Sequence, residues 1–178
     1  MIDFQNHINR FCAEHDLTVA LSYEMPIGYE TAFGTYDVTV NTLFINRARI
    51  KDAPAYEALY YLYHELRHAE QYLHPERFDE AIRKSLHYVV LYNGVCYKLT
   101  GNTWYTCTLA GKEDYFTAAY LNLPYEIDAN LFAYDQVKAL LGEQSELQKL
   151  HAFWMPKTPF ASAEYDSLFA RIDERACN

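Results

Sequence analysis

Apolar side chains first recur at helical intervals. Phe4, Ile8 and Phe11, spaced by four and three, predict an amphipathic helix over Asp3–His15 with Asp3 as its N-cap. The period then drops to two. Leu17, Val19, Leu21 and Tyr23 alternate with Thr18, Ala20 and Ser22, the pattern of a strand. Pro26, Gly28 and Gly34 mark a loop. Alternation resumes at Tyr36, Val38 and Val40, and Leu43 to Asn46 reads as a partner strand. Pro54 suits the first turn of a long helix. Its Leu59, Leu62, Leu66, Ala69 and Leu73 form a core-facing stripe. Pro75 closes it, because the residue before a proline is pushed out of the α region. Asp79 can cap a further helix with Ile82, Leu86 and Val89 on its buried side.

Residues 95–108 read as a hairpin around Gly101-Asn102. That register sets Leu99 opposite Trp104 and Cys96 opposite Cys107, with Tyr97, Leu99 and Trp104 on one face. Pro124 can open another helix, running to about Leu141 and stopped by Gly142, with Ile127, Leu131 and Tyr134 as its core stripe. From Glu143 onward two short helices are expected, separated by Pro156 and Pro159. The pattern implies an α+β fold with a small, mostly antiparallel sheet packed on helices, an extra hairpin and a helical tail. The expected division is a domain over residues 1–141 and an appendage over 142–178.

Composition narrows the function. With 51% hydrophobic and 22% charged residues, 178 residues can build a full core, which excludes a disordered chain. Fifteen Lys+Arg against 24 Asp+Glu give a net charge of −9, so no nucleic-acid partner is expected. No apolar run approaches the roughly 18 residues of a membrane span. Residues 1–11 carry no apolar segment of a secretory signal. Cys12, Cys96, Cys107 and Cys177 include no C-x-x-C pair, so neither a disulfide framework nor a cysteine zinc site is expected. The expected setting is cytoplasmic, with reduced thiols.

One motif carries chemistry. The long helix contains His64-Glu65-Leu66-Arg67-His68. Histidines four apart share a face, one turn apart, so both imidazoles can reach one ion, and neutral imidazole suits Zn²⁺. A glutamate beside the first histidine can take a proton from a water acidified by that ion. Arg67 and Glu70 are expected to be solvent-facing charges. His7, His15, His87 and His151 are isolated and receive no function.

Two residues could be the third ligand. His74 stands ten residues after His64, the metzincin spacing, but that motif needs a glycine where this chain has Gln71. If the helix runs on, His74 lies about 15 Å along the axis from His64 and cannot reach the metal. A Met-turn is not evident either. The other candidate is Glu126, in Pro124-Tyr125-Glu126-Ile127-Asp128-Ala129-Asn130-Leu131-Phe132-Ala133, in the first turn of a helix, where a carboxylate is favoured. Spacing alone leaves the choice open.

His64-Glu65-Leu66-Arg67-His68-Ala69-Glu70-Gln71, followed by Glu126-x-Asp128-Ala129-Asn130-x-Phe132-Ala133, resembles the ImmA/IrrE-type zinc metallopeptidase domains, over roughly residues 1–141. The resemblance implies a zincin-like, gluzincin-like fold in which His64, His68 and Glu126 bind zinc, Glu65 is the catalytic acid/base and the substrate is a peptide or protein. The chain departs from the family in having Arg67 where glycine often precedes the second histidine, and in its long insert between the motifs. Asp128 or Asn130 could fix a histidine tautomer, and Tyr61 or Tyr125 could steady an oxyanion. The alternatives are a catalytically silent zinc-containing binding or regulatory module and a metzincin-like site using His74. A deformylase lacks its upstream motifs here, and a DNA-binding regulator lacks a basic recognition helix.

Overall fold

The computed structural model describes residues 2–176. In chain order the elements are α1 (Phe4–His15), β1 (Ala20–Ser22), β2 (Gly34–Asp37), β3 (Thr42–Ile45), α2 (Arg47–Ile50), α3 (Ala55–Leu73) and a 3₁₀ turn at Pro75–Arg77. There follow α4 (Glu80–Ser85), β4 (Tyr88–Val90), β5 (Val95–Thr100), β6 (Thr103–Thr108), α5 (Glu113–Asn122), α6 (Pro124–Leu141), α7 (Ser145–Trp154) and α8 (Ser162–Ala176). The fold is α+β, with two small sheets among helices. No helix of the described residues is long and apolar enough to cross a membrane.

The chain forms two compact units, each built from two stretches. One takes the residues up to Arg77 together with Ala129–Phe153; the other takes Phe78–Asp128 and the chain from Trp154. α6 is one continuous helix through the cut, with only its first turn and Asp128 assigned to the second unit.

In the first unit a mixed sheet has the order β1-β3-β2, with β1 parallel and β2 antiparallel to β3. β2 is therefore an edge. The alternation at Tyr36, Val38 and Val40 does not continue as strand: β2 ends at Asp37, and Val40 is 59% exposed in the turn that follows. Local bonds win there. Asp37 Oδ1 accepts from Thr39 N–H at 2.8 Å and from its hydroxyl at 2.7 Å, and Asn41 turns the chain at φ 47°. α1 is capped by Asp3, whose side chain accepts from Asn6 N–H, and it buries Ile8 and Phe11. Phe11 meets Tyr63 of α3 and Phe132 of α6 edge-on.

α3 is buried on nearly all sides, far beyond its leucine stripe: Tyr60, Tyr63, His64, His68, Glu70 and Gln71 are all buried. Glu70 is not the solvent-facing charge expected of it. It is 4% exposed, and its carboxylate meets Arg67 at 2.7 Å, His15 at 2.9 Å and Arg77 at 3.5 Å. A buried charge is tolerated only when paired. This cluster ties the end of α1 and the 3₁₀ turn to α3. α6 also turns a different face inward. Ala129, Ala133 and Val137 are fully buried with Glu126 and Asn130, while Leu131 is 45% exposed and Ile127 and Tyr134 are half-buried. Small residues let the helix approach closely.

In the second unit β4, β5 and β6 form an antiparallel meander. The hairpin has the expected register, Cys96 opposite Cys107 and Leu99 opposite Trp104, with Gly101 at φ 60°. Val89 belongs to β4 rather than to α4, which stops at Ser85; Leu99 N–H bonds to His87 O, so the chain joins the sheet directly after the helix. The thiols of Cys12, Cys96 and Cys107 are free. Burial, with Cys107 beside it, pushes the Cys96 thiol up to about 12, which keeps it protonated and unreactive. Cys177 lies outside the described residues. α8 lies on β5 and β6, with Phe169 stacked on Tyr88 at 4.1 Å and Asp173 paired to Lys98. α5, between the hairpin and α6, has no counterpart in the sequence expectations.

Candidate metal centre

α3 runs unbroken from Ala55 to Leu73, so His64 and His68 stand one turn apart on one face. Their Nε2 atoms are 3.0 Å apart. α6 is held to α3 by a buried hydrogen bond from the Tyr60 hydroxyl to Asn130 Oδ1, 3.0 Å. Glu126 lies one turn before Asn130 on the same helix face. His64, His68 and Glu126 each offer one ligand atom, and these atoms all lie within 4.8 Å of one another. The three residues are 8%, 8% and 5% exposed. Spacing alone left His74 and Glu126 as alternatives and the family resemblance implied Glu126; of the two, Glu126 is the one that lies with the histidine pair.

His74 is elsewhere. It caps the C-terminus of α3, and its ring nitrogens lie 3.1 Å from Glu76 Oε1 and 3.0 Å from Asp16 O. The helix runs through Gln71, which puts His74 too far along the axis to turn back to the histidine pair.

The donor set suits a divalent cation. Two imidazoles and one carboxylate are the ligand types of catalytic zinc sites. Bonds of about 2.0–2.1 Å in a tetrahedron set two nitrogens about 3.3 Å apart, close to the separation here. Gln71 completes the case. Fully buried, it accepts with Oε1 from His68 Nδ1 at 2.8 Å. An amide oxygen only accepts, so Nδ1 carries the proton and Nε2 keeps its lone pair for a ligand. The residue that takes the place of the metzincin glycine is thus the one that orients the second histidine.

Glu65 is on the neighbouring face of α3, half-buried. Its Oε2 accepts from the backbone N–H of Tyr36 at 2.9 Å, an amide on the free edge of β2. Close approach of strand and helix depends on Gly34: a Cβ there would stand 2.9 Å from Phe44 O and 3.4 Å from Glu65 Cγ. Burial pushes the Tyr36 phenol up to about 12, and it donates to Asn41 Oδ1, so it stays neutral.

The other candidates have definite surroundings. Tyr61 is stacked on Phe33 at 4.1 Å. Tyr125 is 4% exposed and its N–H bonds to Ser85 Oγ. Asn130 serves the Tyr60 hydroxyl. His7 meets the Tyr63 hydroxyl at 2.8 Å and His15 pairs with Glu70. Sequence reasoning missed Gln71, although its i,i+3 spacing from His68 was readable, and missed the Tyr36 amide, which only tertiary structure brings near Glu65.

No protein-family model matches the chain, and no curated protein or solved structure matches it significantly. The site therefore rests on its own geometry.

Proposed function

We propose that the chain is a zinc-dependent metallopeptidase of the zincin type, with His64, His68 and Glu126 holding the ion and Glu65 as general base. The observation that carries this reading is the convergence of an H-E-x-x-H pair with a buried carboxylate from a separate helix. A purely structural site has no need of Glu65. The resemblance to ImmA/IrrE-type domains supports the same assignment, with peptide or protein substrates in the cytoplasm.

Held there, Zn²⁺ would supply Lewis acidity, bringing the pKa of a water from about 16 towards 7 and polarising a carbonyl. The chain supplies the rest. Gln71 keeps His68 in the tautomer that binds. The Tyr36 amide holds one oxygen of Glu65 and leaves the other to take the proton of the attacking water. Glu65 then passes that proton to the leaving amine.

The test pairs metal analysis with cleavage of a peptide library. The wild-type chain should bind one zinc and cleave. Glu65→Gln should keep the zinc and lose at least about 10²-fold in rate, the usual contribution of a general base. Zinc retained by His64→Ala/His68→Ala would rule out the site.

A further inference from the structure

The corner between α5 and α6 is held by several side-chain hydrogen bonds. Asn122, 1% exposed, ends α5. Its Nδ2 donates to Ala118 O at 2.9 Å and Thr158 O at 3.0 Å, and its Oδ1 accepts from Phe160 N–H at 2.9 Å. Its carbonyl accepts from the Tyr165 hydroxyl at 2.9 Å. On the other side of the turn, Ser85 Oγ accepts from Tyr125 N–H at 3.3 Å and donates to Ile82 O at 2.8 Å. The segment between α7 and α8 thus pins the corner from which α6 departs. Two side chains project from this corner toward each other. The Tyr120 hydroxyl donates to Glu126 Oε2 at 3.3 Å.

A carboxylate offers two equivalent oxygens on a freely turning torsion. A donor on one oxygen removes that equivalence and fixes the plane of the group. Partners of this kind commonly determine how well a ligand holds its metal. At 3.3 Å the bond is long beside the 2.5–2.7 Å of a charge-assisted O–H···O⁻ contact. A contact of that length is weak and takes little of the carboxylate's charge.

We propose that Tyr120 is a positioning residue for the metal centre: its hydroxyl holds Oε2 of Glu126 so that Oε1 is presented with the Nε2 atoms of His64 and His68. The inference rests on the metal site proposed above but not on peptide hydrolysis.

The variant is Tyr120→Phe, which removes one oxygen and keeps the ring. Three readouts are taken: the Zn²⁺ dissociation constant by competition with a chromophoric chelator, the d–d absorption of the Co²⁺-substituted protein, and thermal melting of the metal-free chain. The expected result is a Zn²⁺ dissociation constant raised about 10-fold or more, an altered Co²⁺ spectrum and a metal-free melting curve close to wild type. Unchanged affinity and an unchanged spectrum would overturn the proposal. So would weaker binding that merely tracks an equal loss of the metal-free fold, because the hydroxyl would then be structural. A wild-type chain that binds neither ion sinks the metal site itself. A wild-type chain that binds zinc and cleaves nothing sinks only the peptidase reading, and the Tyr120→Phe affinity still decides this one.

Discussion

Gln71→Leu isolates the role of a buried amide beside a proposed metal ligand. Gln71 is fully buried and holds His68 Nδ1 at 2.8 Å. Leucine fills a similar volume but cannot accept that hydrogen bond. In the metal-free chain the buried Nδ1–H then loses its acceptor, which costs about 1–3 kcal/mol. A chain of this size loses about 2–4 °C of melting temperature per kcal/mol, so the transition should fall by about 2–12 °C. The metal effect is separate. Without the bond, His68 is free to place its proton on Nε2 or to turn its ring, and zinc affinity should fall about 10–100-fold, or about 1.4–2.7 kcal/mol. Chelator competition reads the affinity, and melting curves with and without zinc read the stability. Gln71→Glu, which restores an acceptor, should recover most of the affinity. Wild-type affinity in the leucine variant would refute the idea that Gln71 fixes the tautomer of His68.

Metal content separates the two third-ligand readings: Glu126→Ala should purify without stoichiometric zinc, whereas His74→Ala should keep it, and the reverse pattern would reinstate His74. Tyr60→Phe removes the bond that joins α3 to α6 one turn from Glu126; denaturant unfolding should report a loss of about 1–3 kcal/mol, accompanied by weaker zinc binding. The pH profile of the metal-free chain follows from His7 and His151, both held below their ordinary value of 6.5 chiefly by burial. The unfolded chain then takes up these protons more readily, so their contribution is fully present above about pH 6.5 and is lost as pH falls below it. Urea midpoints between about pH 7.5 and 5.5 should decline on the acid side, less steeply in His7→Asn/His151→Asn, and equal slopes in variant and wild type would contradict the assignment.

The local pattern determined much of this protein. Helices α1, α3 and α6, the β5–β6 hairpin with its register, and the His64/Glu65/His68 face all follow from spacing, caps and turn residues that act within a few positions. Those signals need no partner. The pattern misled where partners decide. β2 stops at Asp37 because side-chain bonds from Asp37 compete with the ladder. The large apolar residues of α6 do not mark its inner face, because that face is reserved for alanines, Asn130 and Glu126. Glu70 looked like a surface charge because its burial depends on a remote partner: His15 is 55 positions away and becomes a neighbour only when α1 packs on α3. The same distinction runs through the metal centre. The two proposed histidine ligands and the proposed base lie within five residues of sequence and were legible there. The proposed third ligand, Glu126, is a first-turn glutamate like many others in the sequence; the Tyr60–Asn130 bond one turn further along α6 joins that helix to α3, and the place proposed for Tyr120 depends on a corner held by Asn122 and residues 158–160. Periodicity reports which side of one element is apolar; the meeting of polar side chains from different elements is fixed by packing, and only the folded chain contains that information.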